Sequence, residues 1–233
     1  SSGYSETYRY DSFGRATETL TAFGGQIFPV TTCYDQYGRT AALTYPTSFA
    51  VRHVYNDFGY LQAVRRADNQ QSVWQAETMN ARGQLEKLSL GNGLITQRAY
   101  DPLTGHLQSI ATGRVDNPQS VQNLSYRFDP LGNLLERRQG TLAETFTYDS
   151  LNRLAKASVN GGQTLTMSYD ELGNLTSKSD VGNYTYGNGA GPHAVTQAGT
   201  VSYTYDAVGN RVTASNGQQI QYTSFNKPWY IKK

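Results

Sequence analysis

The sequence predicts an all-β fold made of tandem antiparallel β-hairpins forming a wide, curled sheet. Three observations carry that reading. A six-residue motif, aromatic-Asp-x-x-Gly-Asn/Arg, returns in ten copies along 233 residues, its aromatic positions mostly 20 to 24 residues apart. The residues ahead of the motif alternate apolar and polar, the period of a strand with one covered face. Asn-Gly and Gly-rich stretches punctuate the intervals, as hairpin turns require. A short unit repeated at near-constant spacing identifies a repeat architecture before any other feature is considered.

The copies in order are Tyr10-Asp11-Ser12-Phe13-Gly14-Arg15 and Tyr34-Asp35-Gln36-Tyr37-Gly38-Arg39, then Tyr55-Asn56-Asp57-Phe58-Gly59-Tyr60 with Asn for Asp. Met79-Asn80-Ala81-Arg82-Gly83-Gln84 is weaker but in phase, and Tyr100-Asp101-Pro102-Leu103-Thr104-Gly105 holds one extra residue before its Gly. Phe128-Asp129-Pro130-Leu131-Gly132-Asn133, Tyr148-Asp149-Ser150-Leu151-Asn152-Arg153, Tyr169-Asp170-Glu171-Leu172-Gly173-Asn174 and Tyr205-Asp206-Ala207-Val208-Gly209-Asn210 follow more regularly. A degenerate last copy is read at Phe225-Asn226-Lys227-Pro228-Trp229, and an aberrant one at Tyr184-Thr185-Tyr186-Gly187. The chain is therefore read as one array over 1–233, of about ten to eleven units. It is less regular at 112–122, the longest insertion, and at 186–199, whose glycines suggest a loop or bulged crossing. If a ligand site exists, these two irregular stretches are the easiest places to build one.

Each slot of the motif has a physical reason. Val201, Tyr203 and Tyr205 fall on one side of a strand, as do Leu165, Met167, Tyr169 and Leu124, Tyr126, Phe128. The motif aromatics Tyr10, Tyr34, Tyr55, Tyr100, Phe128, Tyr148, Tyr169 and Tyr205 are thus expected to fill a ladder between units. The Asp opens a turn, its carboxylate accepting the backbone N–H two residues on. The fifth residue needs a left-handed backbone, which Gly adopts at no steric cost and Asn152 adopts better than other side chains. The structural turn set is Asp11, Gly14, Asp35, Gly38, Gly59, Asp101, Gly105, Asp129, Gly132, Asp149, Asn152, Asp170, Gly173, Asp206 and Gly209. Pro102 and Pro130 suit the second position of a type I turn. The apolar fourth residue is expected to fold back over the hairpin end. Asn160-Gly161, Asn216-Gly217 and Gly91-Asn92-Gly93 mark turns at the opposite end of the hairpins. A lone hairpin is marginal in water, so each unit must lean on its neighbours.

Composition narrows the functional classes. Charged residues make up 16% of the chain and net charge is +2, so no strong field draws nucleic acid or anionic lipid. The pairs Arg65-Arg66 and Arg137-Arg138 read as solvated strand residues. The 18 Tyr and 23 Gly, with abundant Thr and Ser, fit ordered β structure rather than disorder. A single cysteine, Cys33, allows no internal disulfide. No apolar run has the length of a transmembrane span, and no signal peptide is recognisable. The chain opens on Ser-Ser-Gly and closes in mid-pattern on Trp229-Tyr230-Ile231-Lys232-Lys233, as a fragment of a larger protein would.

The motif resembles the YD repeat of the Rhs family, which also occurs in bacterial ABC-type insecticidal toxin complexes, cell-wall-associated toxins and animal teneurins. The aromatic-Asp-x-x-Gly-Asn/Arg elements carry the resemblance across nearly the whole chain, reinforced by doublets such as Tyr203-Thr204-Tyr205-Asp206. The stretch Gly191-Pro192-His193-Ala194-Val195-Thr196 is similar to a feature of bacterial members. The resemblance implies an open section of a spiral β-shell, secreted or on the bacterial cell surface. It also implies a partner in the rest of the same polypeptide, including an enclosed toxin domain. The self-cleaving core and the toxin that follow such shells in toxin members have no counterpart here.

No residue pattern points to catalysis. His53, His106 and His193 lack metal-ligand spacing, and there is no nucleophile elbow or phosphate-binding loop. Asp170 and Glu171 are turn neighbours rather than a facing pair. The turn carboxylates lack the alternation of a calcium loop. The expectation is a non-enzymatic structural shell segment without metal or cofactor. The competing reading is a carbohydrate- or protein-binding module that uses exposed aromatics for a glycan or protein ligand. Exposed strand edges also suggest edge-to-edge self-association. Burial of Tyr10, Tyr34, Tyr148, Tyr169 and Tyr205 would argue against a binding platform, and an exposed stripe would favour it.

Overall fold

A computed structural model describes residues 3–233. The opening Ser1-Ser2 lies outside the described residues. The described chain is strand and turn throughout, and falls into two compact units, 1–125 and 126–233.

The first unit is an antiparallel meander of β1 (Ser5–Tyr10), β2 (Ala16–Phe23), β3 (Gln26–Tyr34), β4 (Thr40–Thr44), β5 (Ala50–Tyr55), β6 (Leu61–Arg66), β7 (Ser72–Met79), β8 (Leu85–Leu90), β9 (Ile95–Tyr100), β10 (Leu107–Arg114) and β11 (Asn117–Phe128), whose last residues pass the unit boundary. The second is built from β12 (Leu134–Gln139), β13 (Leu142–Tyr148), β14 (Leu154–Val159), β15 (Leu165–Tyr169), β16 (Leu175–Lys178), β17 (Gly182–Tyr186), β18 (Val195–Ala198), β19 (Val201–Tyr205), β20 (Arg211–Ala214), β21 (Gln219–Tyr222) and β22 (Pro228–Lys232). Within each unit, strand contacts join sequence neighbours. Each unit is an open strip of antiparallel hairpins, as expected for an open section of such a sheet.

The alternation read from sequence is real. In β15, β17 and β19 the residues at odd steps are half-buried and those between them exposed. Successive strand side chains point to opposite faces, so one face carries Leu165, Met167 and Tyr169 while Thr166 and Ser168 face outward. The covered face is thin. Among the described residues the buried apolar ones are Val51, Ala63, Leu88, Ala198 and Ala214, and no large side chain is fully buried. With so little apolar area removed from water, stability must rest on links between adjacent hairpins.

The structure adds three details. The long insertion at 112–122 lies within β10 and β11, which extend through it as a long hairpin closed by Val115-Asp116. Gly113 sits at the register break between Thr112 and Arg114, and a Cβ there would meet the Asn117 carbonyl oxygen at 2.1 Å. The last repeat begins three residues earlier than its sequence suggested. Tyr222 is its aromatic, Thr223 stands in the Asp slot, and Asn226 is the left-handed residue at φ 61°. Third, the apolar fourth residues do not fold back. Phe13, Tyr37, Phe58, Leu131, Leu151, Leu172 and Val208, with Leu103 of the longer turn, are between 66% and 86% exposed.

Candidate functional site

The repeated turn row is the most densely specified part of the molecule. Asp11 shows its construction. The Asp11 N–H donates to the Arg15 carbonyl and the Gly14 N–H to the Asp11 carbonyl, both at 3.0 Å. This is a three-residue loop, a type I turn completed by a left-handed residue that forms a bulge. Gly14 takes that position with φ 76°, and Asn152 with φ 59°. The register shift falls just before the turn, between Arg9 and Tyr10.

The Asp side chain fastens the loop from inside. Asp11 Oδ1 accepts the N–H of Phe13 at 2.9 Å and of Arg15 at 3.0 Å. Oδ2 accepts Arg15 Nε at 2.7 Å. Asp35 with Arg39 and Asp149 with Arg153 repeat this arrangement. Where the sixth residue is Asn, its amide replaces the guanidinium: Asn133, Asn174 and Asn210 each donate to Oδ2 of Asp129, Asp170 and Asp206 at 2.9 Å. Asn56 and Asn80 hold their loops by the same pair of backbone N–H bonds to Oδ1. The turn at Asp101 is one residue longer, with Gly105 donating back to the Asp101 carbonyl and Thr104 closing on the carboxylate.

These bonds set the charge state. The N–H of the sixth residue is the leading cause lowering the carboxyl pKa of Asp11 and Asp149, and the Thr104 N–H does so for Asp101. For Asp129 and Asp206 the leading cause is the Asn133 or Asn210 amide. Desolvation pushes Asp35 and Asp170 up, and their combined hydrogen bonds outweigh it. A carboxylate held ionised, with its oxygens accepting from its own loop, is a clamp rather than a proton donor.

A second set of bonds ties each hairpin to the one before. The motif Tyr hydroxyl donates to the carbonyl of a residue just beyond the preceding turn: Tyr34 to Ala16, Tyr55 to Thr40, Tyr100 to Leu85, Tyr148 to Leu134, Tyr169 to Leu154 and Tyr205 to Val195, over 2.7 to 3.2 Å. Tyr186 and Tyr222 do the same to Leu175 and Arg211, which places the aberrant unit and the last unit in the ladder. Phe128 holds the aromatic slot without a hydroxyl, as Met79 does without a ring. Tyr10, in the first unit, is 61% exposed. The sixth residue also bridges forward. Arg15, Arg39 and Arg153 lie over the next motif's ring, Tyr34, Tyr55 and Tyr169, at 4.1 to 4.8 Å from the centroid. Asn133 and Asn210 donate to the left-handed Asn152 and Asn226 of the following turn.

The turn residues predicted from sequence are thus brought together unit by unit. The sixth residue, Asn or Arg in the motif, was given no role in the turn set from sequence, although its recurrence four residues after the Asp is the spacing of these bonds. Asn174 is the most developed case. It is buried, donates to Asp170 Oδ2 and the Pro192 carbonyl, and pairs with His193 Nδ1 at 2.7 Å, so that it pins the irregular 187–194 loop.

The binding-platform alternative loses its support. Tyr34, Tyr148, Tyr169 and Tyr205 are half-buried with their hydroxyls engaged by backbone, and Tyr10 alone of the five is exposed. No group of His, Cys, Asp and Glu suited to a metal ion occurs among the described residues.

Residues 7–226 match the family model described as teneurin YD-shell. The chain belongs to the YD-shell family. Toxin subunit YenC1 of Yersinia entomophaga is 26% identical over 218 residues, covering 85% of this chain and 20% of that protein. Toxin subunit YenC2 of the same organism is 30% identical over 166 residues, covering 62% and 16%. This YD-shell chain therefore spans a fifth or less of the length of those curated relatives. Among solved structures, the TcdB2-TccC3-Cdc42 crystal structure matches with TM-score 0.74 at 21% identity, over 96% of this chain and 14% of that one. The Photorhabdus luminescens Tc holotoxin pore matches with TM-score 0.70 at 19% identity, over 98% and 15%. At such identities these structures bear on the fold, which they share.

Proposed function

We propose that this YD-shell chain is a section of wall in a larger bacterial protein, secreted or displayed on the cell surface, whose shell encloses a C-terminal toxin or other cargo polypeptide. The carrying observation is the coupling between hairpins. Each turn clamps itself through Asp, and most turns latch to the previous hairpin through a Tyr hydroxyl, so the strip grows by addition without a closed active site. The naming of both relatives as toxin subunits supports this reading. An enclosing wall needs lateral coherence more than a deep core, and the sheet has little core to offer.

The test uses the longer polypeptide that carries this chain. Limited proteolysis should leave the downstream segment intact while the same segment made alone is digested. Removing the hydroxyls of Tyr148, Tyr169 and Tyr205 together should expose the segment at lower protease concentration. Equal digestion rates for the enclosed and the free segment would refute the proposal.

A further inference from the structure

The basic pairs Arg65-Arg66 and Arg137-Arg138 look alike in sequence, and the structure separates them. Arg66 pairs with Asp68, Arg137 with Glu144 and Arg138 with Glu136. Arg9, Arg15, Arg39 and Arg153 each hold a carboxylate of this chain as well. Arg65 does not. Across the β5–β6 ladder it lies directly opposite Arg52, so both side chains leave the same face of the sheet with Cβ atoms about 4.5–5.5 Å apart. Among the described residues neither guanidinium has a hydrogen bond, an ion pair or a ring contact.

Like charges directly opposite each other in an antiparallel pair are destabilising. Nothing around this pair relieves them. In register beside Arg52 stands Ala42, and beside Arg65 stands Ser72. Two residues along the strands on the same face are Ala50, Val54 and Ala63. Glu18, in the ladder row that runs through Thr31 and Thr44 to Ala50, is held by Arg9. Glu77 on β7 accepts the Ser89 hydroxyl. The small neighbours matter twice. They supply no counter-charge, and they leave the guanidiniums open to approach, Arg52 exposed and Arg65 half-buried. Each guanidinium is a planar group of five donors, and two of them side by side suit carboxylate oxygens that accept from both.

We propose that Arg52 and Arg65 form a two-guanidinium site for the carboxylates of an acidic polypeptide segment. Charge complementarity selects that occupant. Carboxylate is also the partner this fold already gives its arginines, with oxygens 2.7 Å from Arg15, Arg39 and Arg153. The described chain brings none to Arg52 and Arg65, so theirs comes from another segment. The site lies on a sheet face rather than at a turn, and it stands independently of the shell reading.

Nitrogen-15 NMR of the arginine Nε–H groups tests this, at fixed ionic strength and about pH 6, where Glu is ionised. A tetraglutamate peptide is titrated into the chain, with tetraglutamine as its neutral counterpart. The Arg52 and Arg65 signals should shift together along one saturating curve in the millimolar range, as suits an exposed ionic contact. Tetraglutamine should move neither. Arg98, a lone arginine on β9 with no partner among the described residues, should give no saturating shift. R52Q and R65Q should each weaken binding about threefold to tenfold, whereas R98Q should leave it unchanged. R52K keeps the charge without the planar fork and should fall between wild type and R52Q. At low salt R52Q should raise the thermal midpoint by removing the like-charge contact, and tetraglutamate should narrow the gap by stabilising the wild type. Shifts of equal size at Arg52, Arg65 and Arg98 without saturation would show diffuse screening and overturn the proposal. So would inorganic phosphate that displaces the peptide at a lower concentration than the peptide needs to bind, since the pair would then be a site for a free oxyanion rather than for an acidic chain.

Discussion

The two turn rows of each strip do the same geometric job with different chemistry. On the motif row, reversal is standardised: Asp11, Asp35, Asp149 and their counterparts accept the same two backbone N–H groups, and a left-handed Gly or Asn follows. On the opposite row, each reversal is individual. Gly24-Gly25 forms a two-residue loop with both residues left-handed, Asn160-Gly161 a left-handed turn within the longer 160–164 connection, and Tyr45 to Phe49 a three-residue loop with Ser48 at φ 63°. Where opposite turns grip a neighbouring strand, they do so variously, through Asn160 to Ala143, Ser179 to Thr166 and Ser215 to Ser202. The difference shows where register is decided. The motif row carries the ladder and the forward bridges, so its geometry has to repeat. The opposite row mainly returns the chain, and many turn types suffice.

The comparison can be broken first on the tolerant row, at the place where it is not tolerant. Gly199 has φ 56°, and a Cβ there would meet the Val181 carbonyl oxygen at 2.1 Å. Gly199→Ala combines left-handed strain with a backbone clash and should cost on the order of 3 kcal/mol locally. Loss of hydrogen-exchange protection across β16 to β19 would register it; unchanged protection would count against the close approach. Gly140, left-handed at φ 58° with open space around it, should accept Asn with a far smaller penalty.

Next comes the motif row itself. Gly173 has φ 85° and no neighbour near a prospective Cβ, so Gly173→Ala tests backbone conformation alone and should cost about 1–2 kcal/mol. Gly173→Asn should cost less, because Asn152 already holds the equivalent position. If Asn proved as damaging as Ala in exchange or in denaturant midpoint, the left-handed requirement would not be what selects the fifth residue.

The ladder should respond more gently and evenly. Tyr148→Phe, Tyr169→Phe and Tyr205→Phe each remove one hydroxyl bond to the preceding hairpin and should cost about 1 kcal/mol apiece. Tyr10→Phe should be close to neutral, since Tyr10 is exposed in the first unit. An equal loss at Tyr10 would show that the cost of removing the hydroxyl does not come from the latch bond.

How much of this was legible in advance follows from the range of each interaction. The Asp to N–H bonds span two and four residues, so the turn could be read from Asp11-Ser12-Phe13-Gly14 alone. The alternation of β15 and β19 is likewise local. The Tyr169 hydroxyl instead meets Leu154, and Asn174 meets Pro192 and His193, partners that only the paired sheet brings close. The position of Leu151 or Phe58 was misjudged for a related reason. Folding a side chain back needs a surface to fold onto, and a single-layer strip provides none at its rim. The frame of the last repeat was misread because Thr223 replaces the Asp and Phe225 offered a false aromatic start. Thr223 Oγ1 does accept the Lys227 N–H, the same bond made with a shorter side chain.

The smallest effect per residue is protonation of the clamps, and it separates the rows by pH. The motif carboxyls are lowered below an unfolded value of about 3.9. Their contribution is therefore fully present above about pH 4 and is lost as pH falls through their folded values. Turns on the opposite row built from Gly24-Gly25, Asn160-Gly161 or Asn216-Gly217 contain no carboxylate and should not share that dependence. Lowering pH from 5 to 3 should thus raise amide exchange, after correction for intrinsic rates, at the motif turns before the opposite ones. The turn at Asn56 is an internal control, because its amide oxygen accepts the same two N–H groups and does not titrate. Replacing Asp149 by Asn should flatten the acid response of its own turn toward that of Asn56 while also losing the ion pair with Arg153. An acid response at Asn56 equal to that at Asp149 would mean that general charge repulsion, rather than the clamp, opens the row.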